Sequence, residues 1–91
     1  SQARVGFGVG YGKEAFLESA KNALKSPLLS FDLKEARMAI ITVSGDVCLY
    51  EAEKIVQNVA FAANLGTSIF WDVFPEKTND GKIQTLIIAL R

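Results

Sequence analysis

The segment Val5-Gly6-Phe7-Gly8-Val9-Gly10-Tyr11-Gly12 sets glycine at every second position. In an extended strand the side-chain period is two, so Gly6, Gly8, Gly10 and Gly12 share one face. Val5, Phe7, Val9 and Tyr11 form the other, an apolar stripe. The glycine face is bare backbone, against which a neighbouring element can pack closely. A nucleotide-binding reading of these glycines fails on spacing. The dinucleotide fingerprint needs glycines at i, i+2 and i+5, and from Gly6 or Gly8 the third position is Tyr11 or Lys13. The phosphate-loop ending Gly-Lys-Ser/Thr fails too, because Gly12-Lys13 is followed by Glu14.

The elements that follow give the rest of the fold. Phe16, Leu17, Ala20, Ala23 and Leu24 recur at helical spacing over residues 13–25, and Pro27 ends that helix. Ala36 to Ser44 is β-rich and reads as a strand. A second helix runs from about Leu49 to Ala63, with Asn64-Leu65-Gly66 as its stop. It starts at Cys48-Leu49-Tyr50-Glu51, which has the spacing of a capping box with cysteine in the place of Ser or Thr. Thr67 to Phe74 and Lys82 to Leu90 are two further strands, and the turn residues of 75–81 between them read as a hairpin connection. The order β-α-β-α-β-β predicts an α+β two-layer sandwich of chorismate-mutase-like topology. Its mixed four-stranded sheet carries both helices on one face.

Composition limits what such a domain does. Ninety-one residues make one domain, and 49% hydrophobic with 22% charged residues is a globular balance. Ten basic and ten acidic residues cancel without a basic cluster, which argues against nucleic acid. With no histidine, Ser-His-Asp and Cys-His catalysis are excluded, and one cysteine forbids an internal disulfide. No apolar run reaches the ~20 residues of a membrane span, so direct membrane insertion is not expected. The abrupt start at Ser1 and the apolar run ending at Leu90-Arg91 suggest a piece of something longer.

Which strand residues face the helices is read from parity. Ala39, Ile41 and Val43 are grouped with Phe70, Phe74, Leu86, Ile88 and Leu90 as the covered face. Ile40 and Thr42 are grouped with Ile69, Trp71, Val73, Thr85, Ile87 and Ala89 as the second face. Both sets are apolar, yet two helices cover only one side. The second face therefore expects a cover from another segment or another chain, and Trp71 is expected to meet it. Asp46 and Glu51 form no catalytic pair on this reading, since acids are favoured at a helix start. Cys48, with no base beside it, reads as an ordinary loop cysteine.

The glycine-alternating strand, the Ala-rich helix, Ser26-Pro27-Leu28-Leu29, Glu35-Ala36-Arg37 before an apolar strand, and Asp46-Val47-Cys48-Leu49-Tyr50-Glu51 before the second helix occur in this order in FtsZ. The chain resembles the C-terminal (activation) domain of that tubulin-like cell-division GTPase over essentially its whole length. The resemblance implies a cytoplasmic protein that self-associates into filaments. It also implies GTP, with Mg, held in a missing N-terminal domain, and a long central helix lying against the sheet. No catalytic, cofactor or metal residue is then expected within this chain. By position, Gly45, Asp46, Val47, Cys48 and Tyr50 map to the filament interface. Ile40, Thr42, Trp71, Val73, Ile87 and Ala89 map to the interdomain face. The chain departs from the family pattern at Ser44-Gly45-Asp46, where one glycine stands and two are common, and at the last strand, which lacks a closing glycine. Free-standing β-α-β-α-β-β modules that oligomerise around a small molecule are the alternative. No Arg and Glu cluster suited to such a pocket is visible.

Overall fold

A computed structural model describes residues 3–26, 29 and 33–91. The helix stop expected at Pro27 lies outside the described residues. β1 (Ala3–Gly10) leads through a 3-10 turn at Gly12–Glu14 into α1 (Ala15–Leu24). β2 (Met38–Gly45), α2 (Leu49–Ala62), β3 (Ser68–Pro75) and β4 (Ile83–Leu90) follow, giving the expected order and an α+β sandwich. The glycine face does what its bareness suggests. A methyl group built on Gly6 would stand 2.5 Å from the Ala23 carbonyl oxygen, and Gly8 and Gly10 would strike the backbone of Ser19, Ala23 and Ala15. Helix α1 thus lies with its backbone on β1, and the residues it turns inward are small: Ala15, Ser19, Ala20 and Ala23. Gly12 serves another purpose. The strand stops at Gly10, and Gly12 begins the turn at φ +73° with open space around it.

The strand order is β1-β4-β2-β3. β4 runs antiparallel to both of its neighbours, β1 and β2, while β3 lies parallel to β2. Residues 75–81 are therefore not a hairpin, because β3 and β4 flank β2 on opposite sides. The connection crosses the end of β2 at Gly45. There the Glu76 N–H donates to the Gly45 carbonyl at 2.7 Å, and the Asp46 N–H donates to the Lys82 carbonyl at 2.9 Å. Gly45 sits at φ +110° with Lys82 against its α-carbon, so no side chain fits there.

Register corrects the parity reading. Ile41 is opposite Ile87 on β4 and Trp71 on β3, and Ala39 is opposite Ala89 and Ile69. The helix-covered face is thus Ala39, Ile41 and Val43 with Ile83, Thr85, Ile87 and Ala89, and with Ile69, Trp71 and Val73 at the margin. Of these, Ala39, Ile41, Val43, Thr85, Ile87 and Ala89 have no solvent exposure. Ile41, Val43, Ile83, Ile87 and Ala89 form one core with Ala52, Ile55 and Val59 of α2. Leu86, Ile88, Phe70 and Phe74 belong instead to the opposite face, with Ile40 and Thr42. Inside the core, the Ser19 hydroxyl donates to the Phe16 carbonyl at 3.0 Å and meets the Thr85 hydroxyl at 2.9 Å, so neither buried oxygen is orphaned.

Candidate functional site

Two surfaces stand out: the turn between β2 and α2, and the sheet face away from the helices. The turn is tightly built. The Gly45 carbonyl accepts from Val47 N–H at 2.8 Å as well as from Glu76 N–H. Val47 turns inward and is buried, as is Gly45. The Glu51 carboxylate accepts from the Cys48 N–H at 3.0 Å, so the capping role expected of Glu51 is present although the cap residue is cysteine. That anchoring leaves Asp46, Cys48, Leu49 and Tyr50 on the outside. Tyr50 is 63% exposed and Leu49 59%, and the Lys54 ammonium stands 5.2 Å from the Tyr50 ring centre. Of the five residues assigned to a filament interface, Asp46, Cys48 and Tyr50 are presented to solvent, and Gly45 and Val47 shape the turn beneath them. Leu49, the first residue of α2, is apolar but is turned outward beside them.

The six residues assigned to an interdomain face do not lie together. Ile40 and Thr42 are on the open face, whereas Trp71, Val73, Ile87 and Ala89 are on the helix side. Ile87 and Ala89 are fully buried there and Val73 half-buried; Trp71 keeps 38% exposure only because β3 is at the sheet edge and α2 reaches little of it. The open face is built by Val5, Phe7 and Val9 of β1, Leu86 and Ile88 of β4, Ile40 and Thr42 of β2, and Phe70 and Phe74 of β3. No described element covers it. Contiguous exposed apolar area of this kind marks a contact surface.

The far end of α2 is closed by side chains rather than by glycine. The Lys34 ammonium donates to the Phe61 and Ala63 carbonyls at 3.1 and 3.0 Å, placing a cation at the negative end of the helix. The Asn64 amide donates to the Lys34 and Ala36 carbonyls, and its oxygen accepts from Gly66 N–H at 2.7 Å. Among the described residues no three metal-ligating side chains converge, and no helix is long and apolar enough to cross a membrane.

The family model described as FtsZ family, C-terminal domain, matches residues 1–90. Cell division protein FtsZ of Methanothermobacter thermautotrophicus is 38% identical over 89 residues, covering 96% of this chain and 23% of that protein. Cell division protein FtsZ 1 of Archaeoglobus fulgidus is 32% identical over 89 residues, covering 96% and 24%. Among solved structures, the empty FtsZ dimer of M. jannaschii matches with a TM-score of 0.88 at 28% identity, over 96% of this chain and 26% of that one. CetZ2 from Haloferax volcanii, solved as a GTPγS-bound protofilament, matches at a TM-score of 0.72 and 15% identity, over 96% and 28%, a likeness of fold alone. The chain spans about a quarter of the length of these relatives.

Proposed function

The chain belongs to the FtsZ family, matching its C-terminal domain over residues 1–90, and from that premise we propose that it is the assembly domain of a larger polymerising GTPase of cell division. The observation that carries this reading is the apolar sheet face left open behind a complete core. Such a face is suited to a central helix and an N-terminal domain of the same protein, packing on Phe7, Ile40, Thr42, Leu86, Ile88 and Phe70. Of the six residues that the resemblance maps to an interdomain face, Ile40 and Thr42 belong to this set. Asp46, Cys48 and Tyr50, with Leu49 beside them, then form this domain's share of a longitudinal contact between subunits. A self-associating relative, the M. jannaschii dimer, accords with that role.

In this reading the domain itself holds no GTP. The glycines of β1, the one candidate for a phosphate cradle, have their bare side filled by α1. GTP and Mg belong to the N-terminal domain, and hydrolysis is completed when subunits associate, in the cytoplasm. Reconstitution tests this directly. The chain is combined with a separately made N-terminal half that carries the nucleotide site and the central helix. Binding, with GTP turnover that rises with concentration, is the expected result. Two folded halves that do not bind would refute the proposal and return the free-standing oligomeric module. A Tyr50→Ala chain that binds the N-terminal half but lowers turnover would place the subunit contact at the β2–α2 turn.

A further inference from the structure

The second edge of the sheet carries its own information. Ser68 N–H donates to the Arg37 carbonyl at 2.9 Å and Glu76 N–H to Gly45, both toward β2. Backbone N–H groups alternate sides along a strand, so Ile69, Trp71 and Val73 aim theirs at the free edge. One of these is already engaged: Val73 N–H donates to Asp72 Oδ1 at 3.1 Å. The strand reads Phe70-Trp71-Asp72-Val73-Phe74, with a phenylalanine two residues to either side of Asp72 and an apolar residue on each flank. Lay a second copy antiparallel on this edge with the two-fold axis at Asp72. Phe70 then faces Phe74 of the other copy, and Trp71 faces Val73, aromatic and aromatic–β-branched pairs of the kind that stabilise sheets. Trp71 and Val73 carry the outward N–H groups and become the hydrogen-bonded pairs. Asp72 falls in the narrow, non-hydrogen-bonded pair, where α-carbons approach to ~4.5 Å. The only charged residue of the strand thus meets its own copy at the point of closest approach. The register centred on Trp71 instead sets Phe74 opposite Ser68 and Phe70 opposite Asp72, and loses both phenylalanine pairs.

We propose that the β3 edge is self-complementary toward a second copy of this chain and that Asp72 holds the two apart. Its carboxylate repels its counterpart and occupies the Val73 N–H that pairing needs. Like charges directly opposite in a strand pair are destabilising, and charge on an exposed edge is a recognised barrier to strand addition. The inference does not depend on the assembly role proposed above.

Sedimentation equilibrium of the 91-residue chain tests it. Asp72 is exposed, so Asp72→Asn keeps the fold, checked by circular dichroism, and should self-associate about fivefold more tightly than the parent. Asp72 also lies on the open apolar face, and a second substitution separates the two surfaces. Val73→Pro removes an outward N–H that the β2 ladder does not use, as edge strands tolerate. Asp72→Asn/Val73→Pro should fall back to the parent's association. An Asp72→Asn chain that sediments like the parent overturns the proposal, as does a double variant that is folded and still associated. Crosslinking gives an independent reading. In a Cys48→Ser background, Asp72→Cys should oxidise to a covalent dimer, whereas Ser68→Cys, whose opposite is Glu76, should not. Equal crosslinking at both positions also overturns it.

Discussion

β1 and β3 are both eight-residue edge strands of one sheet, and they are finished in opposite ways. β1 offers α1 a row of glycines, and the helix settles backbone to backbone. β3 offers Ile69, Trp71 and Val73 on the same face; Ile69 and Val73 pack on the core, but the strand stays largely in solvent. Bulk on the covered face, not apolarity, decides which edge is sealed. A small-residue strand recruits a helix; a large-residue strand ends the layer and needs a charge to guard it.

The contrast is broken most severely at Gly8. Gly8→Val drives a side chain into the α1 backbone and should cost about 3 kcal/mol or more in urea unfolding, while Trp71→Ala on β3 should cost only about 1 kcal/mol. Equal losses would mean that α1 can shift outward and that the glycines are not what seats it. The two faces of the central strand β4 give the next test. Ile87→Ala, in the core, should cost about 3 kcal/mol, and Ile88→Ala, on the open face, under about 1 kcal/mol. A large cost for Ile88→Ala in this chain would mean that its open face is already covered. The hydroxyl pair that ties α1 to β4 comes next. Ser19→Ala should cost about 1–2 kcal/mol by stranding the Thr85 hydroxyl, and Ser19→Ala/Thr85→Val should cost less than the sum of the single changes. The smallest effect is spectroscopic. Trp71 emission should stay in place when the separately made N-terminal half with its central helix is added, because Trp71 faces α2's side of the sheet. A tryptophan placed by Phe7→Trp in a Trp71→Phe chain should shift to the blue.

The fold was legible because its local signals agree. Glycine spacing gives β1 and the packing of α1, Glu51 marks the start of α2, and Asn64-Leu65-Gly66 marks its end. The faces were not legible for a physical reason. In β3 and β4 both parities are apolar: Ile69, Trp71 and Val73 against Phe70 and Phe74, Ile87 and Ala89 against Leu86 and Ile88. Alternation within one strand says nothing about its phase relative to the next when neither phase is polar. Size held the clue. Thr85 and Ala89 are the small residues of β4, and they lie where the sheet is most deeply buried. The supposed hairpin failed for a similar reason, since turn residues mark where the chain reverses, not which strand it returns to. The capping-box spacing at Cys48–Glu51 marks the β2–α2 turn, but one positive-φ glycine and one inward valine decide which of its residues reach solvent.

The placement of β4 bears on how this chain comes into being. Emerging from a ribosome, β1 has no strand of this sheet to pair with until residues 83–90 appear, because its neighbour β4 is the last of the four strands to be made. β2 and β3 can join early through the helix between them, but the glycine strand with α1 waits as a separate piece. β4 is the keystone that unites the two parts of the sheet, so a nascent chain stopped before residue 83 is expected to hold two unjoined pieces of sheet, not a slightly frayed domain.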